Sequence, residues 1–74
     1  MLAATTERVR ALRLLARYPN GTTEGLMLAH GFAIIVLARL VRDRLVTAEL
    51  NSTREVWMQI TDLGREALAQ YAAT

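Results

Sequence analysis

The chain has 74 residues, 53% of them hydrophobic, with one proline, one histidine, no cysteine and a formal net charge of +2. So short a chain removes only roughly 60% of its unfolded surface from water, so residues 1–74 are expected to form one domain, and the apolar surplus points to a face covered by a second chain. Disulfide stapling, thiolate chemistry and the usual structural zinc sites are excluded, no run approaches the roughly 20 apolar residues of a membrane span, and no secretory leader pattern opens the chain, so a cytoplasmic protein without a metal is expected.

From Thr6 to Tyr18 the apolar positions Val9, Leu12, Leu15 and Ala16 recur at helical spacing, which predicts an amphipathic first helix with Glu7, Arg10, Arg13 and Arg17 between them. Pro19-Asn20-Gly21 ends it, because proline disfavours helical geometry in the residue before it and Asn-Gly tolerates positive φ. Thr22 or Thr23 is then placed to cap a short second helix, Glu24 to His30, whose first-turn glutamate complements the helix dipole. Gly31 is expected to close that helix in the left-handed conformation, and a third helix restarts at once from Ala33 to Arg44. Two helices joined by so tight a turn cross steeply.

Beyond Leu45 the apolar period changes from helical to alternating. Leu45–Leu50 and Glu55–Thr61 read as the two strands of a hairpin around the polar turn Asn51-Ser52-Thr53-Arg54, with Val56, Met58 and Ile60 on one face and Trp57 on the other. Thr61 or Asp62 caps a last helix, Leu63 to Ala72, with Leu63, Ala67, Leu68 and Tyr71 on its apolar side. The expected class is α+β, mainly α, in the order helix, helix, helix, hairpin, helix.

That order and two motifs resemble the winged helix-turn-helix domain of bacterial transcription regulators, of the multiple-antibiotic-resistance and phenolic-acid repressor type. Ile60 to Leu68, I-T-D-L-G-R-E-A-L, is similar to the family's strand-to-helix ending I-T-x-x-G-R-x-x-L. Leu37 to Thr47, L-A-R-L-V-R-D-R-L-V-T, resembles its third helix running into the first wing strand. Thr23 to Phe32, T-E-G-L-M-L-A-H-G-F, resembles a segment of short uncharacterised bacterial proteins with this predicted fold. The chain departs from the family at Arg44, where glycine is usual, and at Ala33, Ile34 and Ile35, where serine, threonine or charged residues are usual.

The resemblance implies a homodimer that binds double-stranded DNA and regulates transcription. A winged helix lays its third helix in the major groove while the hairpin tip reaches a neighbouring groove or phosphate. With Ala33 or Ile34, Leu37, Leu40 and Val41 turned to the core, the outward stripe is Ile35, Ala38, Arg39 and Arg42. Arg39 and Arg42 are candidates for guanine or phosphate, Ile35 for a thymine methyl, Arg54 for the wing contact, and Thr22 and Thr23 for phosphate at a helix start. Trp57, Leu68 and Tyr71 are candidates for a dimer or partner surface. The alternative function is a protein interaction module that uses Ile35, Trp57 and the last helix and does not read DNA.

All nine positive residues are arginine. The planar fork of arginine suits phosphate and guanine, although GC-rich codon usage would produce the same skew. The early group, Arg8, Arg10, Arg13 and Arg17, reads as a solvated helix face. His30 reads as a capping or packing residue, and Met27 and Met58 as core filler. No serine or cysteine nucleophile has a histidine base, and Glu49, Asp62 and Glu66 offer no paired acid and base, so neither catalysis nor a cofactor is expected.

Overall fold

A computed structural model describes the backbone of residues 2–73 and the side chains of residues 6–71. In chain order the elements are α1 (Leu2–Ala16), β1 (Thr22–Thr23), α2 (Glu24–Ala29), α3 (Ile34–Arg42), β2 (Val46–Leu50), β3 (Val56–Ile60) and α4 (Asp62–Ala73). The strands form one antiparallel sheet of order β1-β3-β2. A two-stranded hairpin was the expectation from sequence. The third strand, β1, arises because the loop after α1 lies across the free edge of β3 and pairs Thr22 with Met58 and Thr23 with Trp57.

That loop is held from the other face of β3. Gln59 Nε2 donates to the Pro19 carbonyl at 2.9 Å, and Trp57 Nε1 donates to the Asn20 carbonyl at 2.9 Å. The opposite face of β3 carries Met58 and Ile60, both buried, against Leu12 and Leu15 of α1, Met27 of α2, Leu37 and Leu40 of α3, and Val46 of β2 in one apolar cluster. Met27 and Met58 sit inside this core, as their positions in the sequence suggest.

Both short helices end in the same way. At the end of α2, the Gly31 N–H donates to Leu28 and the Phe32 N–H to Met27; at the end of α3, the Arg44 N–H donates to Val41 and the Leu45 N–H to Leu40. Each pair is a Schellman closure, which needs a left-handed residue just past the cap and an apolar contact across the turn. Gly31 at φ 92° and Arg44 at φ 63° are those left-handed residues, and Met27, Phe32, Leu40 and Leu45 are all buried. Arg44 therefore stands where glycine relieves strain.

The last helix is fixed at its first turn. Thr61 Oγ1 accepts from the Gly64 N–H at 3.0 Å and donates to the Arg44 carbonyl at 2.7 Å, tying α4 to the turn after α3. Gly64 is buried, and a Cβ there would run into the Leu45 carbonyl and the Ile60 side chain. Close approach of two backbones accounts for glycine at this position. Further along α4, Ala67, Leu68 and Tyr71 pack against the core, whereas Leu63, expected on the apolar side, is exposed.

Candidate nucleic-acid interface

The third helix has two sides. Val36, Leu37 and Leu40 are buried and Val41 is half-buried, while Ile35, Ala38, Arg39 and Arg42 are exposed and line a shallow depression on the outer face. One expectation fails here. Ala33 and Ile34 do not face the core: Ala33 is the N-cap residue and Ile34 is 54% exposed, because α3 begins only at Ile34 and Val36 occupies the place next to the core.

The helix start is supplied from outside. Ala33 has no side-chain cap of its own, and its N–H donates to Glu7 Oε2 of α1 at 2.9 Å. A carboxylate there satisfies one of the orphan donors of the first turn and complements the dipole. It also places negative charge beside the first turn of α3. At the other end, Asp43 Oδ2 accepts from Arg8 Nη2 at 3.0 Å, and Asp43 Oδ1 lies 3.5 Å from Arg42 Nε. Arg42 is thus partly neutralised, and Arg39 has no ion-pair partner among the described residues.

Arg54 lies at the hairpin tip in the left-handed conformation, φ 64°. The Arg54 N–H donates to the Asn51 carbonyl, the Asn51 N–H donates to the Glu55 carbonyl, and Asn51 Oδ1 accepts from the Thr53 and Glu55 N–H groups. This is a three-residue hairpin loop in which the left-handed position, usually glycine, is an exposed arginine. Residues 49–55 carry Glu49, Arg54 and Glu55, one positive and two negative charges, so the tip is net −1.

The two threonines part company. Thr22 is only 8% exposed and sits in β1, paired with Met58, rather than at an open helix start. Thr23 is the N-cap of α2, its Oγ1 accepting from the Leu26 N–H at 3.1 Å. The three residues assigned to a partner surface also make contacts within their own chain. Leu68 and Tyr71 are half-buried against the core, and Trp57 donates to the Asn20 carbonyl beside Gly21 while staying 38% exposed.

Ile35, Ala38, Arg39 and Arg42 are brought together on one surface; Arg54 lies apart at the hairpin tip. Sequence periodicity located α3, but no sequence signal announced the Glu7 contact at its start, which joins residues 26 positions apart. Among the described residues no cluster of acidic and histidine side chains could hold a metal ion, and no helix is long and apolar enough to cross a membrane. Comparison with protein-family models, with curated proteins and with solved structures finds no match.

Proposed function

We propose that the chain is a winged helix-turn-helix domain that binds double-stranded DNA as a cytoplasmic homodimer and regulates transcription by occupying its site. The observation that carries this reading is the outer face of α3, where Arg39 and Arg42 project from a helix whose opposite side is sunk in the core. The short α2–α3 connection through left-handed Gly31 and the hairpin followed by α4 support it, being the element order that the I-T-D-L-G-R-E-A-L resemblance implies. Two such helices in one dimer enter successive major grooves about one helical turn apart. Arg39 makes the principal polar contact, to guanine or phosphate, and Ile35 adds an apolar contact to a thymine methyl.

Because arginine–phosphate contacts supply most of the affinity, binding falls steeply with salt, by about 0.9 in log–log slope for each phosphate neutralised. Gel shift on random duplex DNA at two salt concentrations tests this. Binding at low salt that weakens on raising it, and a shallower slope for Arg39→Gln, are expected; no binding at low salt rejects the reading.

A specific observation favours a second reading, a protein interaction module. Ile34 and Ile35 are 54% and 58% exposed at the start of α3, next to the Glu7 carboxylate, and the hairpin tip is net negative. Apolar residues with a charged rim suit a protein partner better than a phosphate backbone. Ile35→Arg separates the two: self-association or partner binding is lost in sedimentation under the second reading, whereas DNA affinity holds or rises under the first.

A further inference from the structure

Arg10 and Arg13 lie one turn apart on α1 and Arg17 in the turn just after it, with Leu14 among them, and together with His30 and Phe32 they line an open hollow of about 240 Å³. The floor is apolar, formed by buried Phe32 and half-buried Leu14. The rim is basic, since the three arginines and His30 are exposed. No carboxylate lines the hollow, and none of the three arginines has an ion-pair partner among the described residues. Arg10 lies with its guanidinium carbon 5.6 Å from the Phe32 ring centroid, a cation–π contact that holds its fork at the edge of the depression.

A purely structural role accounts for part of this arrangement. Arg13 stands in the last turn of α1, where a cation complements the dipole. Arg10 lies a further turn back, beyond the reach of that effect, and a like-charge pair one turn apart on a helix, as Arg10 and Arg13 are, destabilises it by about 0.2–0.5 kcal/mol. Such a stripe is ordinarily relieved by interleaved acids. Here it faces a concave surface with none.

The geometry points to a phosphate-binding site in this hollow: Arg10, Arg13 and Arg17 hold the phosphate oxygens, Leu14 offers the apolar contact beside them, and buried Phe32 backs the Arg10 guanidinium. Guanidinium forks match phosphate oxygens two at a time, which selects phosphate over a simple monovalent anion. The same chemistry is presented by a free nucleotide and by the backbone of a nucleic acid. The site uses none of the exposed α3 residues and stands independently of DNA reading by that helix.

The test is an amide NMR titration of the full chain at low ionic strength with adenosine monophosphate and, separately, with a random duplex. Saturable shifts at the amides of Arg13, Arg17, Gly31 and Phe32 are expected, and Arg13→Gln/Arg17→Gln should weaken the isotherm at least tenfold while its spectrum reports an intact fold. Arg39→Gln/Arg42→Gln should leave the nucleotide isotherm unchanged, which separates this site from α3. Saturation by the nucleotide assigns a free-nucleotide ligand, and saturation by the duplex alone assigns a backbone phosphate. The proposal is overturned if neither probe gives saturable shifts at these amides, or if the double glutamine variant binds within twofold of the parent.

Discussion

Replacing Arg44 with glycine should stabilise the protein, although glycine usually weakens a fold. Arg44 is held at φ 63° by the closure of α3, in which its N–H donates to Val41 and that of Leu45 to Leu40, both at 3.0 Å. A non-glycine residue in the left-handed region costs about 1–2 kcal/mol. Against this, glycine widens the unfolded ensemble at a cost of about 0.4–1 kcal/mol. The Arg44 side chain is exposed and makes no ion pair among the described residues, so little else is lost. The net gain is about 0–1.6 kcal/mol, with a midpoint of about 0.8 kcal/mol that raises Tm by about 3–6 °C for a domain this size. Urea and thermal unfolding of Arg44→Gly and Arg44→Ala measure it. Alanine keeps the strained Cβ and should change stability little. Equal stabilisation by both variants would trace the effect to the lost charge and refute the backbone explanation, and a destabilised Arg44→Gly would refute it outright.

Four further outcomes follow from the same contacts. Gly64→Ala forces a methyl against the Leu45 carbonyl and should cost about 1–3 kcal/mol, as overpacking of a tight core does, read as a lower urea midpoint at unchanged m. Thr61→Ala removes both the cap on Gly64 and the bond to the Arg44 carbonyl and should cost about 1–2 kcal/mol, with Thr61→Ser recovering most of it. Trp57→Phe keeps an aromatic ring but removes the N–H that binds the Asn20 carbonyl, costing about 1 kcal/mol and loosening the Pro19–Gly21 loop, seen as faster amide exchange at Gly21. Glu7→Gln retains an acceptor for the Ala33 N–H while removing the negative charge at the start of α3. If that helix meets DNA, duplex affinity should rise in gel shift, and an unchanged affinity argues that the start of α3 lies away from the phosphates.

The amino-acid sequence determined the four helices, the hairpin and their order, but not β1. Periodicity of about 3.6 in Leu12–Leu15 and Leu37–Leu40, alternation in Val56–Ile60, and punctuation by Pro19, Gly21 and Gly31 are local signals, each set by sterics and burial within a few residues. They also located the outward stripe of α3, because one buried face fixes the other. Tertiary structure alone decided how the ends of these elements are satisfied. Glu7 at Ala33, Arg8 at Asp43, Thr61 at Arg44 and the strapping of β1 onto β3 join residues from 17 to 40 positions apart, counting the Gln59 bond to Pro19 that holds the strap. Such contacts leave no periodic trace. Thr22 illustrates the consequence: it reads as an open hydroxyl at a helix start, yet it is buried because a distant hairpin supplies the strand beside it. Arg44 illustrates the reverse, a residue whose identity gives no sign of the left-handed backbone that the packing of Leu40 against Leu45 imposes on it.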